Sequence, residues 1–168
     1  RPALGDIAIN AVYQRLSKVP RIRDNDQFWL QYAMARMEVD DLTSAETYLS
    51  TAIGLASKRG QEYSKNQIID QQIRLVFMKN ARSKSSVNKR ELLTEAKNIE
   101  TLIKDKSAPV VHPLRSAVHL LELLDSKADQ LDKATVVSLK DTVMLMKDSV
   151  PEGRLDKSQK GETEAIRK

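Results

Sequence analysis

Apolar residues recur at intervals of three and four along most of this chain, in seven runs separated by polar or proline-containing breaks. That interval is the period of a helix with one face turned to a core. The first run, Ile7, Ala8, Ala11, Val12 and Leu16, predicts a helix from about Leu4 to Lys18. "VPRIRDN" then breaks it, because Pro20 has no amide hydrogen to donate and Asp24 or Asn25 is a suitable cap for the next helix. Phe28, Trp29, Tyr32, Ala33 and Met37 mark a second helix ending near Glu38, with Ala35 and Arg36 turned away. After the turn "VDDLTS", Thr43 and Ser44 open a third helix carrying Leu42, Ala45, Leu49, Ala52, Ile53 and Ala56, and Gly60 closes it.

Four more helices complete the pattern. Ile68, Ile69, Ile73, Val76 and Phe77 lie inward on one from about Glu62 to Lys79. "NARSKSSVNK" is a polar loop. Leu92, Leu93, Ala96, Ile99, Leu102 and Ile103 define the next, from Lys89 to Lys106, which "SAPVVHP" interrupts. Leu114, Ala117, Val118, Leu121 and Leu124 define a sixth, from Pro113 to Ala128. Asp132 caps a seventh, carrying Ala134, Val137, Leu139, Val143, Leu145 and Met146 to about Lys147. Beyond Pro151 only Leu155, Ala165 and Ile166 are apolar, too few to offset the entropy of ordering, so residues 151–168 read as a disordered tail or linker. The expectation is an all-α domain over residues 1–150, about seven helices stacked as antiparallel hairpins, with no strand.

Composition supports this and removes several kinds of chemistry. With 5 Gly and 5 Pro in 168 residues, a turn-rich all-β fold is disfavoured. There is no Cys, which excludes disulfides, thiolate metal sites and Cys nucleophiles, and fits a cytoplasmic setting. The longest apolar runs, such as "HLLELL", are far short of the roughly 20 residues needed to span a bilayer, so no membrane partner is expected. The opening "RPALGD" lacks Met and is read as the start of a piece excised or processed from a longer protein.

The spacing within Gln27–Lys58 carries a resemblance. Trp29 is followed by Tyr32 and Ala33, then by Ala45, Leu49 and Ala52. This resembles a tetratricopeptide unit, in which large and small residues alternate in this way so that two helix axes can approach closely. Ala33, Ala45 and Ala52 are the small members, and Trp29, Tyr32 and Leu49 are the groove fillers. Arg36 stands where the pattern has Tyr, Leu49 where it has an aromatic, and a shift of 34 residues finds no second copy. The whole is thus a divergent hairpin stack.

A longer stretch, "DNDQFWLQYAMARMEVDDLTSAETYLSTAIGLA" with "YSKNQIIDQQIRLVFM" after it, is similar to the C-terminal helical regions of large bacterial NTP-binding proteins of antiviral-defence type. Gln67, Ile68, Ile69, Asp70 and Gln71 occupy the corresponding helix start. The resemblance implies a sensor or scaffold that binds a protein partner, with any catalytic part lying upstream.

Motifs that would carry chemistry are sparse. His112 and His119 are the only histidines, and the spacing of a zinc hydrolase is missing, so both read as core or solvated residues. The adjacent Asp40 and Asp41 sit in a turn and suit helix capping. The glycines are too scattered for a phosphate loop. No cofactor, metal or catalytic residue is expected, and the chain reads as a non-enzymatic interaction module, its oligomeric state left open. Net charge is +5, but Lys79, Arg82, Lys84, Lys89 and Arg90 are uninterrupted by any acid. They are the candidate contact for phosphates or an acidic partner, and the alternative function is a weak nucleic-acid contact through residues 79–90.

Overall fold

The computed structural model describes residues 4–105 and 111–150, residue 111 by its backbone alone. Among these, eight α-helices and one 3₁₀ turn occur and no strand does: α1 Leu4–Leu16, α2 Pro20–Arg23, α3 Asp26–Glu38, α4 Leu42–Lys58, α5 Glu62–Arg82, α6 Lys89–Asp105, α7 Val111–Lys127, the turn Ala128–Gln130, and α8 Lys133–Asp148. The fold class is therefore all-α, with packed helix–helix contacts. The expected tail, residues 151–168, lies outside the described residues. The chain divides into two compact units, Arg1–Ile68 and Ile69–Lys168, and α5 runs through the boundary.

In the first unit, α3 and α4 pack together as the hairpin that the repeat-like spacing predicts. Asn25 caps α3, its side-chain oxygen accepting from the amides of Gln27 and Phe28 at 2.9 and 3.4 Å. Of the two aspartates suited to capping, Asp41 caps α4; its carboxylate accepts from the Ser44 amide at 3.3 Å. The reason lies in the turn. Asp40 takes a left-handed φ of 62°, which lets the Asp41 amide reach back to the Arg36 carbonyl at 2.9 Å. The turn is finished at Asp41, so the next helix starts at once. Gly60, at φ 64°, ends α4 in the same way, with the Gln61 amide bonded to the Ala56 carbonyl at 3.1 Å. Leu30, Tyr32, Ala33, Met37, Ala45, Leu49, Ala52 and Ala56 are buried in this hairpin.

Two features of this unit differ from expectation. "VPRIRDN" contains the short helix α2, started by Pro20, whose ring presets the helical φ. More consequentially, α1 buries none of its residues, and its apolar stripe faces outward: Ile7 and Val12 are 53% and 54% exposed. What holds α1 is its other side. The ring of Tyr13 stacks on Tyr32 at 4.7 Å, and Asn10 accepts a hydrogen bond from the Tyr32 hydroxyl at 2.7 Å.

In the second unit, the rest of α5 packs with α6, α7 and α8. Ile73 and Phe77 from α5 join Leu92, Ala96, Ile99 and Leu102 from α6 in one cluster. Leu114, Ala117, Leu120, Leu123 and Leu124 from α7, with Leu139, Val143 and Met146 from α8, complete it. On α8 the expected Leu139, Val143 and Met146 are buried, but the rest of the expected stripe is not. Thr135, Leu139, Val143 and Met146 point inward, leaving Val137 and Leu145 exposed. The fifth helix also runs to Arg82, beyond the expected stop at Lys79. Asn80 allows this: its side-chain nitrogen donates to the Val76 carbonyl at 2.9 Å and its oxygen accepts from the Asn88 amide at 3.1 Å. No described helix is long and apolar enough to cross a membrane.

Candidate functional site

The residues singled out by the repeat-like spacing come together in the first unit. Tyr32, Ala33, Ala45, Leu49 and Ala52 are fully buried, whereas Trp29 is only partly covered. Tyr32 is the centre of a ring cluster. Tyr48 stacks on it at 4.1 Å and Trp29 at 6.2 Å, and Trp29 lies edge-on to Phe28 at 5.2 Å. The Trp29 indole donates to the Arg23 carbonyl at 2.7 Å. Burial, then the adjoining Tyr48, pushes the Tyr32 hydroxyl well above the usual tyrosine range. Arg36 is not turned away: its guanidinium lies 3.6 Å from the Asp41 carboxylate, in a position that is mostly covered.

A polar group closes the other end of the hairpin. The buried Asp26 carboxylate accepts from the Ser64 hydroxyl and from Arg59 at 3.4 Å. Gln27 donates to Ser64 at 2.7 Å and to Gln67 at 2.9 Å. These residues border a surface hollow of about 450 Å³. Their polar atoms are used on one another, which is what a structural clasp requires.

The basic residues 79–90 do not form one loop. Lys79 and Arg82 are on α5, Lys84 is in the connection, and Lys89 and Arg90 are in the first turn of α6. Arg82 pairs with Glu122 at 3.3 Å and Lys89 with Asp132 at 2.6 Å. Lys89, with Thr135 after it, holds the Asp132 carboxyl far below its usual range. The connection is strapped down as well, since Lys127 donates to the Ser83 carbonyl at 2.6 Å and the Val87 amide to Gln130 at 2.9 Å. Lys89, Arg90, Leu93, Thr94 and Lys97 line a hollow of about 380 Å³ on one face of α6. Lys97 was not among the residues expected there, although its spacing of eight from Lys89 is two helical turns and was available to find it.

Both histidines are largely buried in the second unit. His112 Nδ1 lies 3.5 Å from the Asp70 carboxylate and His119 Nδ1 lies 3.4 Å from Glu122. Burial, helped by Arg115 and Arg74, pushes His112 down to about 4, and burial likewise lowers His119. Burial pushes Asp70 up to about 7 against the pull of Arg74. Among the described residues no three or more His, Asp or Glu are placed to hold a metal ion. Asp70, Gln71 and Arg74, all buried on α5, were missed by the periodicity. Their signal was the set of polar positions inside the apolar run "IIDQQIRLVF".

No family model, curated protein or solved structure matches the chain. The likeness of Gln27–Lys58 to a tetratricopeptide unit therefore rests on its residues and on the packed α3–α4 hairpin.

Proposed function

We propose that the chain is a non-enzymatic interaction module that binds a protein partner, with α1 as the docking helix. The observation that carries this reading is the inversion of α1. Leu4, Ile7 and Val12 are exposed on one side, while the helix is held from behind by Asn10 and Tyr13. A stripe of branched apolar side chains facing water is costly unless something covers it, and an amphipathic helix laid alongside is the partner geometry that fits. Under this reading the similarity to C-terminal regions of bacterial NTP-binding defence-type proteins is meaningful. The module would be their cytoplasmic sensor or scaffold part.

Site-specific photo-crosslinking of the protein in cells tests the idea, with the reactive residue at Ile7 or, as a control, at the exposed Lys140 of α8. One defined adduct at position 7, lost in Val12→Asp and missing from position 140, supports it. Equal labelling at both positions, or none at either, overturns it.

The second reading is a nucleic-acid contact through the basic face of α6, favoured by the convergence of Lys89, Arg90 and Lys97 on one hollow. The pairing of Lys89 and Arg82 with acids lowers the charge on offer. Fluorescence anisotropy should show weak binding that salt erases, because only a few phosphates can be neutralised. Tight, salt-resistant or sequence-selective binding would put this reading first.

A further inference from the structure

In the second unit, α5 and α7 lie side by side and run the same way, since Asp70 meets His112 at one end and Arg82 meets Glu122 at the other. The seam is polar although it is buried. His112, Ser116 and His119 lie on one face of α7, at spacings of four and three. Asp70 Oδ2, His112 Nδ1, Ser116 Oγ and His119 Nδ1 are all enclosed and make no hydrogen bond of regular geometry. Apolar residues of the same size would hold two helices together at least as well. The arrangement therefore calls for an explanation beyond adhesion.

We infer that Asp70 and His112 together hold a single proton through the mildly acidic range, so that this buried pair adds no pH dependence to the stability of the second unit.

The number of protons on the pair is the same in the unfolded and the folded chain. In the unfolded chain, between the ordinary values of 3.8 for Asp and 6.5 for His, the carboxyl is ionised and the imidazole is protonated. The two groups then hold one proton. In the folded chain, burial drives Asp70 up to about 7 and His112 down to about 4, so over the same interval the carboxyl keeps the proton and the imidazole is neutral. Again the pair holds one. At a separation of 3.5 Å the proton can sit on either group without changing the count. The charges acting on the pair are Arg74 on α5, which opposes protonation of both groups, and Arg115 on α7, which opposes it at His112. The position of His112 in the first turn of α7 disfavours an imidazolium further.

Each group alone would make folding depend on pH. A carboxyl raised on folding contributes stability below 3.8 that is lost as pH rises through about 7. An imidazole lowered on folding contributes stability above 6.5 that is lost as pH falls through about 4. The slopes have opposite signs and cancel between about 4 and 6.5.

Urea unfolding of the 168-residue chain at pH 4.5, 5.5 and 6.5 tests this on the wild type, Asp70→Asn and His112→Gln. Relative to wild type, the folding constant of Asp70→Asn should fall as pH is lowered, by up to tenfold per pH unit, the limit for one proton. That of His112→Gln should rise as pH is lowered. Curves parallel to wild type, or slopes of the same sign, would overturn the inference. Should either variant fail to fold, NMR of the wild type decides. The Asp70 carboxyl and His112 ring carbons should show no midpoint between pH 4.5 and 6.5, and a midpoint for either in that window would overturn it.

Discussion

The hydroxyl of Tyr32 donates to the Asn10 side-chain oxygen at 2.7 Å, joining α3 to α1 across 22 residues of chain. Tyr32 is also sandwiched by rings, with Tyr48 at 4.1 Å and Tyr13 at 4.7 Å. One side chain thus ties three helices of the first unit together, and it does so on the polar side of α1. That is why the apolar side of α1 is left facing water.

Tyr32→Phe removes only the hydroxyl and should cost about 1 kcal/mol. Tyr32→Ala empties a buried site and should cost roughly 3–5 kcal/mol. Trp29→Ala should cost less than Tyr32→Ala, because the indole is only partly covered. Urea denaturation of the three variants checks the order, and an equal loss for Trp29 and Tyr32 would show that the indole is as enclosed as the phenol ring.

Ile7→Asp and Val12→Asp should leave stability within about 0.5 kcal/mol of wild type, since neither side chain is buried. Tyr13→Ala, on the opposite side of the same helix, should destabilise clearly. A thermal melt of the isolated chain separates the two sides, and a large drop for Ile7→Asp would mean that the stripe is covered within the chain itself.

Gly54 and Gly60 should respond to Ala with opposite signs. Gly54 is inside α4 with nothing near its Cβ position, so Gly54→Ala should stabilise by about 0.5–1 kcal/mol. Gly60 also has open space around it, but its φ of 64° is left-handed, so Gly60→Ala should cost about 1 kcal/mol. Chemical denaturation of the two single variants is sufficient.

Asp132→Ala should lower the melting temperature more than Lys89→Ala, because Asp132 also caps α8 through the Thr135 amide at 3.3 Å and hydroxyl at 2.6 Å. Asp132→Asn should recover part of the loss by keeping the cap. Since Lys89 and Thr135 depress the Asp132 carboxyl, its contribution is present above the ordinary value of 3.8 and is lost as pH falls through the lower folded value. The gap between wild type and Asp132→Ala should therefore narrow in strong acid, which melts at decreasing pH would reveal.

What local sequence determined was the helices and their ends. The three-and-four spacing located α3 to α8, and Asn25, Gly60 and Asp132 stop or start helices with chemistry that needs only the nearest few residues. The α3–α4 hairpin was legible for a similar reason. Ala33, Ala45 and Ala52 are small at the spacings that bring two axes together, and they are fully buried.

Which way a helix faces was a different matter, and only the tertiary structure decided it. Periodicity shows that a stripe exists, but the buried side is chosen by neighbours that are distant in sequence. On α1 the choice went to Asn10 and Tyr13 because Tyr32 offers them a hydrogen bond and a ring. On α8, where Leu139, Val143 and Met146 were legible as inward, it added Thr135 and left Val137 and Leu145 outside. On α5 it placed Asp70 and Arg74 in the interior, Asp70 against His112 of α7, 42 residues away, and Arg74 against Gln71 of its own helix. A local pattern ranks residues by their liking for water, whereas the fold pairs them with particular atoms, and those pairings lie beyond the reach of any short window of sequence.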